Sequence, residues 1–113
     1  MKGDEAGPAA RAATALLTFC EAHGKNPEGL VELTACVSAL KWGRVDAALS
    51  AFGRIPLGGM GTFADWSPPP RYPNETPDYV VAVFDALLFR WVYLMGRLQE
   101  ARDKAQGDSP GGR

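Results

Sequence analysis

Apolar positions along this chain recur mostly at helical spacing, and they do so in four blocks. In the first, Leu16, Leu17, Cys20 and His23 follow Ala9, Ala12 and Ala13. Pro8 suits a first helical turn and Gly24 a left-handed stop, so a helix is predicted over 8–23. Asn26-Pro27-Glu28 then offers a side-chain cap, a residue preset for the first turn, and an acid for the positive end of the helix dipole. Leu30, Leu33, Val37 and Leu40 mark one face of the helix predicted from there to about Lys41, with Cys36 at its edge. Trp42-Gly43 breaks that pattern. Val45, Ala48, Leu49 and Phe52 follow at i, i+3, i+4 and i+7, the stripe of a third helix that Gly53 closes. Thr76-Pro77-Asp78 repeats the start signal, and the helix predicted beyond it runs to about Lys104. Its first stripe is Val80, Phe84, Leu87, Trp91, Leu94 and Leu98; its second is Val81, Leu88, Val92 and Met95. An apolar arc this wide implies burial by more than one neighbour and makes this helix the spine of the fold.

Between the third and fourth blocks, Gly53 to Glu75 carries four glycines and five prolines and does not read as helix. A structureless loop of that length is uncommon in a compact domain. Ile55, Leu57, Met60, Phe63, Trp66 and Tyr72 argue against disorder, so the segment is expected to lie packed over the helices. A short strand pair or a single helical turn near Phe63–Trp66 fits within it. The predicted fold class is all-α: a single-domain bundle of about four helices, with a long C-terminal helix and a packed Gly/Pro-rich loop before it. Residues 1–7 are expected to be a flexible N-terminus, 8–106 the helical domain and 107–113 a flexible tail.

Composition narrows the function classes more than it selects among them. The 113 residues are 46% hydrophobic and 22% charged, close to globular averages. Net charge is −1, and neither half is basic: residues 1–66 hold six Lys/Arg against seven Asp/Glu, and residues 67–113 hold six of each. That leaves no electrostatic footprint for nucleic acid. The apolar run Val80 to Leu88 is interrupted by Asp85 and continues past Arg90 and Arg97. A bilayer span needs about 20 apolar residues, so the run reads as a buried helix and no membrane partner is expected. The polar N-terminus shows no secretory signal, and the expected location is cytoplasmic. Cys20 and Cys36 both fall beside apolar residues within helical patterns, where reduced core thiols are expected.

Groups able to carry chemistry are sparse. His23 is the only histidine. With Cys20 and Cys36 it makes three soft ligands where a structural zinc site wants four, so neither metal nor cofactor is expected. His23 is instead expected to cap the end of its helix, where the dipole favours a positive charge. No Gly-x-Ser-x-Gly elbow occurs, and no catalytic residue is assigned. Asp85 interrupts the long helix's apolar run; it is either a solvated gap or, if buried, an acid needing Arg54 or Arg71 as partner.

The densest unusual run is Leu57 to Trp66. Gly58, Gly59, Met60 and Gly61 are the loop-forming residues, and their backbone N–H groups could line an anion nest. Alternatively the turn tucks Met60, Phe63 and Trp66 onto the core, with Asp65 bonding nearby backbone. The candidate partner-binding residues are Phe63, Asp65, Trp66 and Tyr72, beside the stiff Pro68-Pro69-Pro70 ridge. The competing reading packs these side chains on the long helix.

The stretch Gly58-Gly59-Met60-Gly61-Thr62-Phe63-Ala64-Asp65 resembles the Gly-Gly-Met-Gly-Ser-Phe-Asn-Asp signature of small uncharacterised bacterial helical proteins, departing from it at Thr62 and Ala64. The resemblance implies helices before and after the signature and a bacterial source; it implies no activity. The function expected on all these grounds is a small protein-binding module rather than an enzyme, in the manner of an immunity protein or inhibitor that neutralises a toxin or enzyme. The alternatives are a small-ligand-binding protein or enzyme using the Gly58–Asp65 turn, and a self-associating helical protein whose long helix pairs in a homodimer.

Overall fold

The computed structural model describes residues 6–25, 29–55, 57 and 63–107. Four α-helices account for most of them: α1 (Ala6–Ala22), α2 (Leu30–Lys41), α3 (Val45–Gly53) and α4 (Pro77–Gly107). A single 3-10 turn, Phe63–Asp65, interrupts the connection between α3 and α4, where either a short strand pair or a single helical turn fitted the sequence. Among the described residues there is no strand, and the all-α bundle with a long C-terminal helix and an aromatic loop before it is what the chain forms.

α1 buries Ala9, Ala13, Leu16 and Cys20, a single stripe at i, i+4, i+7 and i+11. It packs on both α2 and α4, while α3 packs on α2 and closes against α4. One cluster runs through all four helices. It takes in Leu16, Leu33, Cys36, Leu40, Ala48, Phe84, Trp91 and Met95, with Phe63 and Ile55 brought in from the loop. At 1.5 Å per residue the 31 residues of α4 span about 46 Å. That accounts for most of the 56 Å length of the molecule.

Two helices stop by the same device. After α1, Gly24 takes φ of 78°, its N–H bonds the Glu21 carbonyl, and the Lys25 N–H reaches back to the Cys20 carbonyl at 2.9 Å. After α2, Gly43 takes φ of 73°, and the Arg44 N–H reaches the Ala39 carbonyl at 2.8 Å. Both are Schellman closures, which need a residue at ease in the left-handed region. α4 starts as predicted, with the Tyr79 N–H donating to the Thr76 hydroxyl at 3.1 Å.

Element ends differ from the sequence reading in three places. α1 begins at Ala6, so Ala6 and Gly7 are helical rather than part of a flexible end. α2 begins only at Leu30: Gly29 stands in the left-handed region at φ 83° and so cannot continue a helix begun at Pro27. The proposed cap at Asn26 lies outside the described residues. α4 persists through Gly107, the first residue of the predicted tail.

Candidate functional site

The expected interaction surface was the aromatic segment before α4, and the structure divides its members. Phe63 is 2% exposed and belongs to the core. It is therefore removed from the partner-binding set, because a buried ring has no surface to offer. Trp66 is half-buried. Its indole meets the Phe84 ring edge-on at 5.1 Å between centroids and the Phe19 ring at 6.3 Å. Phe84 also stacks with Phe19 at 6.3 Å and tilts against Phe63 at 6.1 Å. One α4 ring thus holds the loop to α1; for Phe63 the packed reading prevails, while half-buried Trp66 packs on Phe84 and keeps part of its ring at the surface. Asp65 is exposed and engaged with another group. Tyr72 is 52% exposed. Gly58, Gly59, Met60 and Gly61, with the anion-nest reading they carried, lie outside the described residues.

Beside these rings is a polar clasp. His23 caps α1 as expected: its Nδ1–H donates to the Phe19 carbonyl at 3.0 Å, the same oxygen that accepts its backbone N–H. The other ring nitrogen, Nε2, lies 3.0 and 3.1 Å from the two carboxylate oxygens of Glu75. Both ring nitrogens face acceptors, so both contacts are hydrogen bonds when the imidazole carries two N–H groups. Phe19 stacks on the imidazole at 4.1 Å, and Tyr72 meets it edge-on at 5.6 Å. Glu75 Oε1 also accepts the backbone N–H groups of Arg71 at 2.8 Å and Tyr72 at 3.2 Å. Burial of this carboxylate works to raise its pKa. Donation from Arg71 N–H, the His23 ring and Tyr72 N–H outweighs that effect and leaves it below its ordinary 4.5. Next to the clasp, Lys25 lays its ammonium 4.7 Å from the Phe63 ring centroid and 5.4 Å from that of Trp66. Its charge is thereby held against ring faces. Every group here is engaged with another, which makes the clasp a device for fixing the loop.

Both thiols are free and buried. Burial pushes Cys20 up to about 12 against the opposing pull of Lys25, and pushes Cys36 up to about 11 against its interaction with the Trp91 indole. That indole N–H is buried and finds no hydrogen-bond partner among the described residues. Asp85 is exposed, which decides for the solvated gap over a buried pair with Arg54 or Arg71. Arg54 turns instead to the Ser50 hydroxyl at 3.0 Å.

The long helix was expected to pair only in the self-association alternative, and the residues of its open face were not named. Val80, Phe84, Trp91, Met95 and Leu98 face the core. On the opposite side of the helix Phe89 is 75% exposed, Tyr79 55% and Tyr93 50%. The second stripe was expected to be covered by further neighbours. Met95 is, but Val81, Leu88 and Val92 are only half-buried. Leu88, Phe89 and Val92 line an open groove of about 390 Å³ with Leu57, Ala64 and Asp85. Over Pro77–Ala105 α4 is long and apolar enough to cross a membrane by length and composition, and 22% of its most apolar window is buried in the fold. The spacing of Tyr79, Ala82, Ala86, Phe89 and Tyr93 was the available signal; it was obscured because two better stripes share the helix.

Against family models, curated proteins and solved structures alike, the chain finds no match.

Proposed function

We propose that this protein is a small helical module that acts by binding another protein, with the outer face of α4 as its docking surface. The observation that supports this reading is the row of exposed rings Tyr79, Phe89 and Tyr93 beside the Leu57–Leu88–Val92 groove. Isolated exposed apolar side chains are ordinary, but Phe89 and Tyr93 one turn apart beside an apolar groove, with Tyr79 farther along the same face, mark an interaction site. Tyr and Phe bring large apolar area at low entropic cost, as residues that dominate interfaces do. An immunity-protein or inhibitor role, with a toxin or enzyme captured one-to-one, is the narrower form of the proposal. The exposed ridge of Asp65, Pro69, Pro70 and Tyr72 is the second surface open to such a partner.

The test is site-specific photo-crosslinking in the source cells, with benzoylphenylalanine in place of Phe89, of Tyr72, or of Thr18 on the exposed side of α1. Protein adducts from position 89 and none from position 18 are expected. No protein adduct from position 89 would end the α4 reading, and adducts from position 72 alone would move the docking surface to the ridge.

A further inference from the structure

We infer that the occupant of the α4 face is a second copy of this chain, paired in parallel through a short two-stranded coil; the inference rests on the reading of that face as a docking surface. Along the side of α4 away from the core lie the exposed Tyr79, Ala82, Ala86, Phe89 and Tyr93 and then the half-buried Gly96, spaced 3-4-3-4-3. This is a 3.5-residue repeat, the seam of a left-handed coiled coil, and α4 carries it opposite its buried stripe. Small residues between the rings let two backbones approach.

Charge selects the partner and its direction. Asp85 lies on one flank of the seam and Arg90 on the other, about 140° apart around the helix at 100° per residue. Within one helix they face away from each other, and among the described residues neither makes an ion pair. Five residues is the separation at which flanking positions meet across a parallel pair, so each Asp85 reaches the Arg90 of the other copy, twice by symmetry. An antiparallel pair would set like flanks together, acid beside acid and base beside base. A lipid surface would leave both charges unpaired at the edge of the stripe. Three partly exposed rings give on the order of 300–450 Å² per copy, below the roughly 800 Å² of a standard interface, so the dimer is a weak one that a tighter-binding protein partner on the same face displaces.

Sedimentation equilibrium of the full chain from about 5 to 500 μM reads the association. A monomer–dimer equilibrium is expected, lost with Phe89→Ser and weakened at least fivefold by Asp85→Arg or Arg90→Asp. The double exchange Asp85→Arg with Arg90→Asp is expected to restore it. In parallel, Ala86→Cys should form an intermolecular disulfide on mild oxidation, since each position 86 faces its own counterpart. Circular dichroism confirms that each variant is folded. A monomer throughout the range overturns the inference. So does failure of the double exchange to restore pairing, or co-sedimentation of the protein with phosphatidylcholine/phosphatidylglycerol vesicles that Phe89→Ser abolishes. If the chain is monomeric yet position 89 crosslinks to a different protein, the docking face stands and only its occupant was wrong. If position 89 captures nothing at all, both readings fall.

Discussion

Gly29 carries two demands at once. Its φ of 83° lies where a β-carbon is strained, and a β-carbon there would sit 2.6 Å from Cδ1 of Phe63. Gly43 carries only the first, because at φ 73° its β-carbon would meet nothing within 4 Å. Substituting each with alanine therefore separates the two costs. Gly43→Ala should destabilise by about 1 kcal/mol, the left-handed penalty alone. Gly29→Ala should lose more, about 2–3 kcal/mol, because Phe63 must also shift; paired urea melts measure the difference. At the same scale, both thiols combine burial with raised pKa values of about 12 and 11. Neither Cys20 nor Cys36 should react with a thiol reagent at pH 8 while the chain is folded, and both should react in denaturant. Fast labelling of either under native conditions would contradict the packing described.

Among the elements, the clasp between the end of α1 and the approach to α4 is where pH acts. Glu75 has a folded-state pKa below its ordinary 4.5, so between the two values the unfolded chain binds more protons. Its contribution to stability is thus complete above about pH 4.5 and is lost as pH falls through the folded value. Replacing it, Glu75→Gln, should lower the Tm at neutral pH and flatten the fall in Tm below pH 4.5. An unchanged acid limb would show that other carboxylates set it. Removing the α4 cap with Thr76→Ala should cost about 1 kcal/mol, independent of pH across this range. The far end of α4 is tied separately, by the ion pair of Arg102 with Asp46 on α3. Both partners are partly exposed, and such pairs contribute little.

At the scale of the whole molecule, α4 presents two faces with different consequences for mutation. Phe84 is fully buried and gathers Phe19, Phe63 and Trp66 around it. Phe84→Ala should therefore cost about 3–5 kcal/mol in a denaturant melt and free the loop with it. Phe89 lies five residues on, on the other side of the helix, and is 75% exposed. Phe89→Ser should change the stability of the monomer by less than about 0.5 kcal/mol while removing association. If Phe89→Ser destabilised the chain as much as Phe84→Ala at low micromolar concentration, α4 would not have the free outer face described.

The four helices, their order and the start of α4 at Thr76-Pro77 were legible because helical periodicity and capping are local, read within a few residues. The stops at Gly24 and Gly43 were legible for the same reason: a left-handed residue ends a helix wherever it stands. Other features were decided by residues distant in the chain. Glu75 meets His23 across 52 positions, and no spacing rule connects them. Phe63 was open to either a surface or a core role until the loop folded back onto Gly29 and Phe84. The width of the apolar arc on α4 showed how much of that helix avoids water, but not how many neighbours the rest of the chain had to cover it. Only the packing of α1 and α3 against one side of α4 decided that Tyr79, Phe89 and Tyr93 remain in solvent, because burial belongs to the assembled set of helices and not to any one of them.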